Sequence, residues 1–180
     1  MLLHVCKGLQ RENGTMTERW RYDVVKRINN VEIRKFHSSV FADVTVDSPF
    51  SVAGSLGFRP LVTYISQNQI EMTAPVLQEK VGEQAWTVSF VMPEGAQLSA
   101  LPLPKNSEVM LREVPEHFAA ALSFSGMSAW KTIEAKVQEL RKTLEGAGIT
   151  ISGPIRIARF DPPWKPSFLR HNEVVIPIKY

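Results

Sequence analysis

VEIRKFHSSVFADVTV, residues 31–46, and VMLREVPEHFAAALSF, residues 109–124, align at a constant offset of 78 residues. Val31 falls on Val109 and Arg34 on Arg112, and the alternating tails VFADVTV and HFAAALSF run together approximately. The likeness continues in order: APV (74–76) meets GPI (153–155), and SFVMP (89–93) meets EVVIP (173–177). Short matches that keep their order along the chain point to one unit written twice, and a repeat decides the architecture before any single element does.

Each unit follows the same plan. Two segments with period-two alternation come first, VEIRKF then SVFADVTV, and VMLREV then FAAALSF, the pattern of half-buried strands. A helical stretch follows. In the second unit Trp130, Ile133, Val137, Leu140 and Leu144 are spaced three, four, three, four, a single apolar stripe. Ser128 is placed to cap its start, and Gly146 and Gly148 to end it. In the first unit the helix spans roughly 49–66, with Phe50, Ala53, Leu56, Leu61 and Ile65 apolar, and Pro60 inside it predicts a kink or a restart. Each unit then closes with a strand entered near its proline phrase and one further strand, WTVSFVM (86–92) and NEVVIPI (172–178). Pro75 and Pro154 lack an amide proton and suit a strand start or edge, while Thr73 and Ser152 can bond nearby backbone. Upstream, Asn29-Asn30 between RYDVVKRI and VEIRKF is a hairpin signal. The polar stretches 77–85 and 93–107 read as surface hairpin connections. Neither unit can bury its apolar faces alone, so the two join in one domain: two antiparallel sheets forming an open or distorted barrel, with two helices packed outside.

The totals are consistent with that. At 180 residues, with 44% apolar and 22% charged residues, the chain suits one soluble domain with a core of its own. No apolar run approaches the length of a membrane span, and the first twenty residues lack the apolar core and cleavage site of a secretory signal. Residues 1–18 are expected to be a flexible tail and 19–180 the domain, with Met16 an alternative start. Residues 1–27 carry six Lys/Arg against three acids, and the remainder 15 against 15. The body is therefore neutral, without the basic stripe of a nucleic-acid binder. Cys6, the single cysteine, excludes an internal disulfide and a cysteine-based zinc cage. A free thiol in a chain without a signal points to a reducing compartment, taken as the cytoplasm.

Few side chains stand out as chemistry. His4, His37, His117 and His171 show no HxxxH spacing, although His37 and His117 are nearly equivalent by the repeat. Each reads either as a surface turn residue or as a haem ligand, His37 foremost. No nucleophile elbow marks a catalytic triad and no glycine-rich loop marks a phosphate site. Met72 is either a core residue or an axial ligand. Glu71 and Glu32 are candidate buried acids for a cationic ligand, or members of a solvated strand face. On the first helix Phe58, Arg59, Leu61, Val62 and Ile65 mix apolar bulk with one cation. That suits a flat amphipathic ligand carrying carboxylates, and equally an ordinary amphipathic helix.

GFRPLVTYISQNQIEMTAPV (57–76), WTVSFVMP (86–93), LREVP (111–115), YDVV (22–25) and DPPWKPSFLRHNEVVIPI (161–178) together resemble the SOUL haem-binding family over about 20–180. The MTAPV phrase and the RFDPPWKP…LRHNEV ending are the most specific parts. The resemblance implies an α+β fold of two pseudo-symmetric halves, a distorted eight-stranded antiparallel β-barrel flanked by two long α-helices, similar to gyrase-inhibitor-like ligand-binding domains. It also implies reversible, non-enzymatic binding of haem or another tetrapyrrole, as carrier or buffer. The protein is expected to act as a monomer, and its neutral body to have no nucleic-acid partner. The implied site is a shallow apolar groove on the helix Ser55–Ile65, carried over onto Phe58, Arg59, Leu61, Val62 and Ile65, with Met72 near its end; His37 stands beside it as the candidate iron ligand from its own place in the repeat, not from the resemblance. Gln69 departs from the lysine common before MTAPV, and the family has no shared axial histidine to select among the four here. An alternative is a sensor or scavenger of small aromatic or cationic molecules, with Glu71 or Glu32 as the key acid in the cleft between the halves.

Overall fold

The computed structural model describes residues 17–127 and 129–180. His4, Cys6, Met16, most of the expected tail and the candidate cap Ser128 lie outside the described residues. The described chain runs β1 (Tyr22–Ile28), β2 (Val31–Phe36), β3 (Ser39–Asp47), α1 (Phe50–Gln67), β4 (Val76–Lys80), β5 (Ala85–Val91), β6 (Met110–Val114), β7 (His117–Ser125), α2 (Trp130–Gly146), β8 (Thr150–Ile151), β9 (Arg156–Arg159) and β10 (His171–Lys179).

These strands form one sheet, not two. Its order is β1-β2-β7-β10-β9-β4-β5-β3-β6, with β8 attached to β10. Every pairing is antiparallel. The expected eight-stranded barrel is corrected to a ten-stranded sheet curled into a half-barrel. Closure would need β1 and β6 to pair, and they remain opposite edges. β1 carries a register shift between Val24 and Lys26, and a bulge of this kind blunts an edge. The two strands beyond eight are β1 itself, which the Asn29-Asn30 turn folds onto β2, and the two-residue β8. Asn29 takes a φ of 54°, the left-handed conformation such turns require. The helices have 18 and 17 residues, so they are of moderate length rather than long. The stretch 77–85, expected as a loop, is mostly strand: β4 extends to Lys80, because Leu77 and Gln78 are both buried against neighbouring strands.

β3 and β7 are each nine residues long and begin 78 residues apart. β2 pairs with β7 through Phe36 opposite His117, and β3 pairs with β6 through Ser39 opposite Val114. At the middle of the sheet β4 pairs with β9, Gln78 opposite Ile157.

Both helices pack on one face. α2 buries Ile133, Val137, Leu140 and Leu144 against Leu122, Phe124, Val174 and Ile176 of β7 and β10. Each such side chain contributes roughly 1.5–3 kcal/mol. Trp130, the first residue of the expected stripe, is only partly covered, by Phe50 and Trp86. Gly148, at φ 67°, turns the chain out of the helix. α1 buries Ala53, Gly57, Leu61, Tyr64 and Ile65 over β3 and β5. It runs unbroken through Pro60, which lies off that buried line. Among the described residues the other face carries no helix. Phe36, Phe41, Leu77, Val91, Ala119, Ala121, Ala158 and Val175 cover it, and Trp20 closes over them. Trp20 is held by paired backbone bonds, its amide to the Ala74 carbonyl at 2.8 Å and the Ala74 amide to the Glu18 carbonyl at 2.7 Å. The MTAPV phrase thus anchors the segment that seals this face, and Thr73 Oγ1 ties it to the Val91 carbonyl at 2.5 Å.

Candidate functional site

The outward side of α1 presents Leu56, Arg59, Pro60, Thr63 and Gln67 in helical spacing. Across from it runs the segment between β5 and β6. Tyr64 is buried in the helix but its hydroxyl donates to the Pro102 carbonyl at 2.8 Å, which fixes that segment beside the helix. Asn106 turns the segment back toward β6, its Oδ1 accepting from the Glu108 amide at 2.9 Å and its carbonyl from the Val109 amide at 3.1 Å. Between helix and segment lies an open cleft of about 420 Å³. Leu56, Pro60, Tyr64, Pro104 and Val109 give it apolar walls, Thr63, Gln67, Asn68 and Asn106 give it neutral hydrogen-bonding groups, and Arg59 and Lys105 give it two cations. No acid lines it. Two cations on a partly apolar cleft suit a flat ligand with anionic groups, since an Arg fork can hold a carboxylate at two points.

The helix-free face holds a second feature, a buried ion pair. Alternation along β2 and β10 turns Arg34 and Glu173 to this side. Arg34 Nη1 meets Glu173 Oε2 at 2.6 Å and Nη2 meets Oε1 at 2.9 Å. Arg34 Nε also donates to Glu32 Oε2 at 2.9 Å, and its guanidinium lies 4.0 Å from the Tyr22 ring centre. Ser123 Oγ donates to Glu173 at 2.9 Å, and His171 Nε2 lies 3.1 Å from the same carboxylate. Burial, the largest influence on Glu173, pushes its carboxyl up. Hydrogen bonds from His171 and Arg34, with the charge of Arg34, more than reverse this and hold it at about 2. Burial likewise opposes the charge of Arg34, and Glu173 overcomes it, so the guanidinium is raised above its usual range. The space above this pair is almost filled, by Trp20, Tyr22, Phe36 and Phe160.

A family model described as SOUL heme-binding protein matches residues 17–177. The chain belongs to the SOUL family. Among solved structures, this SOUL domain is similar to the C-terminal domain of EcmrR, with 12% identity, 88% of this chain and 98% of that one covered, and a TM-score of 0.67. It is similar to a hydrolase from Listeria innocua, with 13% identity, 86% and 94% covered, and a TM-score of 0.60. It is also similar to SAV2435 bound to tetraphenylphosphonium, with 14% identity, 83% and 93% covered, and a TM-score of 0.54. At such identities the likeness is one of fold alone. No curated protein matches the chain.

Within the SOUL domain the candidate residues scatter. Arg59 alone of the seven lines the cleft. Phe58 is half-buried and meets Phe90 edge-on at 5.2 Å. Leu61 and Ile65 are buried in the core beneath α1, and Val62 packs partly against it. Met72 is exposed beyond the helix end. His37 sits between β2 and β3 with Nε2 2.9 Å from Asp23 Oδ2, apart from the residues that line the cleft. His117 stacks on Phe36, its Nδ1 donating to the Pro115 carbonyl at 2.9 Å and its Nε2 accepting from Arg156 at 3.1 Å. Burial first, then the charges of Arg156 and Arg112, keep its imidazole pKa low despite the Pro115 bond. Of the candidate acids, Glu71 is exposed. Glu32 is half-buried on the helix-free face and already paired with Arg34 and Arg27. Among the described residues no three His, Cys, Asp or Glu side chains gather as a metal site.

The sequence reading passed over two kinds of residue. Leu56, Pro60, Thr63 and Gln67 follow from Arg59 by the same helical spacing that placed the core stripe, and could have been found by reading the outward face. Lys105 and Pro104 arrive from another segment, and no local signal connects them to α1.

Proposed function

We propose that this SOUL protein binds haem or a related tetrapyrrole reversibly, without catalysis, in the α1 cleft, and serves as a carrier or buffer. The observation that carries this reading is the pairing of Arg59 and Lys105 on the rim of a partly apolar cleft, in a chain of the SOUL family. Leu56, Pro60, Tyr64, Pro104 and Val109 would meet the macrocycle, and Arg59 and Lys105 its two carboxylates. When bound, haem supplies the iron and its redox chemistry. Among the described residues the cleft lining offers no His, Met or Cys to that iron, so contact area and carboxylate pairing set the affinity and metal has little influence.

Binding of small aromatic cations is the weaker reading. Its expected key acids are exposed or paired, and the buried acids of the helix-free face, Glu173 and Asp43, are already paired with Arg34 and Arg112. We also propose that the chain is two copies of one ββαββ unit, acting as a monomer. The 78-residue spacing of β3 and β7 and the matching cross-pairing of β2 with β7 and β6 with β3 support the duplication.

A hemin titration followed by Soret absorbance tests the main reading. Saturable one-to-one binding, weakened about tenfold by Arg59→Ala, is expected. Uptake that does not saturate, or that ignores the substitution, would remove the cleft as the site.

A further inference from the structure

The loop joining β9 to β10, FDPPWKPSFLR (160–170), shows its large apolar side chains to solvent. Trp164 is 83% exposed, Phe168 72% and Leu169 55%, and Met127 at the neighbouring turn is 64% exposed. The two turns are tied together: the Gly126 amide donates to the Arg170 carbonyl at 3.2 Å, and Asn172 Nδ2 donates to the Gly126 carbonyl at 3.0 Å. Apolar tips gathered in this way mark a surface that meets something less polar than water.

Several polar groups of the loop bond within it. Asp161 accepts from Lys165 Nζ at 2.8 Å and from the His171 amide at 2.5 Å. Arg170 donates through Nε to the Lys165 carbonyl at 2.8 Å and through Nη2 to the Pro163 carbonyl. The amides of Lys165, Leu169 and Arg170 bond the carbonyls of Pro162, Pro166 and Ser167, and Pro162, Pro163 and Pro166 have no amide proton to satisfy. Three amides of the loop are thus bonded within it, and three of its positions carry no amide proton. The tips therefore project from a braced loop rather than from a loose one.

Charge selects the partner. Asp161 is the only acid between Phe160 and Arg170, and Lys165 matches it. Arg170 rests on neutral carbonyls, so its charge is left uncancelled at the base of the tips. Indole, phenyl and isobutyl groups around a net positive charge are the composition of an interfacial contact with anionic lipid.

We propose that the Phe160–Arg170 loop, with Met127 beside it, docks this protein on the surface of an anionic lipid bilayer. The contact is peripheral: the tips enter the headgroup boundary, and Arg170 pairs with lipid phosphate or carboxylate.

The test uses the full chain and vesicles of phosphatidylcholine with or without phosphatidylserine, some carrying brominated acyl chains. Co-sedimentation with anionic vesicles is expected, together with bromolipid quenching of tryptophan emission that disappears in Trp164→Phe. The triple variant Trp164→Ser, Phe168→Ser, Leu169→Ser, checked for an unchanged melting temperature, should bind about tenfold more weakly. Absence of sedimentation at millimolar lipid overturns the proposal, as does binding that the triple variant retains in full. Equal binding to neutral vesicles would overturn the assignment to anionic lipid.

Discussion

Arg34 and Glu173 form a two-point ion pair, 2.6 and 2.9 Å, between strands that lie 139 residues apart in the chain. Both are about 3% exposed. A pair so placed contributes little beyond two well-packed apolar residues, but either charge left alone is costly. Glu173→Ala is therefore expected to lower stability by about 3–5 kcal/mol, while Arg34→Met with Glu173→Leu recovers most of that. Urea unfolding of the three proteins measures it, and a single variant that loses almost nothing would mean the pair is solvated.

The same carboxylate sets an acid limit. Glu173 titrates at about 2 in the folded chain against 4.5 for an unperturbed carboxyl. A lowered value means that its contribution is complete above the unfolded value and is lost as pH falls from about 4.5 through about 2, on the order of 3 kcal/mol in all. Wild-type unfolding midpoints should fall across that window, and the slope should flatten in Glu173→Gln. An equally steep slope in the variant would assign the acid sensitivity to other carboxylates.

At Gly57 α1 comes close against Val88 of β5. A Cβ built there would lie 2.6 Å from Val88 Cβ and from Val88 Cγ2. Gly57→Ala should gain about 1 kcal/mol of helix propensity and still destabilise the protein by about 1–3 kcal/mol through overpacking. Val88→Ala added to it should restore part of the loss. A melting temperature raised by Gly57→Ala alone would show that the helix has room to move.

Much of the fold was legible because its signals are local. The four-three-four spacing of Ile133, Val137, Leu140 and Leu144 marks α2, and Asn29-Asn30 marks a hairpin. The strand count was not, because β1 precedes the matched segments and β8 is only two residues long. The candidate site was legible in one residue, Arg59. Leu61 and Ile65 share the helix with it, but only the strands beneath decide which side of an amphipathic helix is buried. Glu173 escaped notice because an acid inside EVVIPI looks the same whether water or an arginine meets it, and its arginine lies in another strand. Glu71, expected as a buried acid for a cationic ligand, is exposed just ahead of the MTAPV phrase, whose Ala74 anchors Glu18 and Trp20.

Trp20 lies on the face of the sheet opposite α1. It seals the helix-free side, packed on Phe36, Phe41 and His117. Trp20→Phe should destabilise the fold by about 1–2 kcal/mol and leave hemin affinity within about twofold, because the cleft of α1 lies on the other face. A large loss of hemin binding in that folded variant would move the ligand to the Trp20 side.

The most direct measurement is a fluorescence titration with metal-free protoporphyrin, run on the wild type and on Arg59→Ala with Lys105→Ala. The account expects saturable binding close in strength to that of hemin, weakened on the order of a hundredfold when both cations are removed. Strict dependence on iron, or indifference to the loss of both cations, would contradict a cleft that holds its ligand by apolar contact and carboxylate pairing.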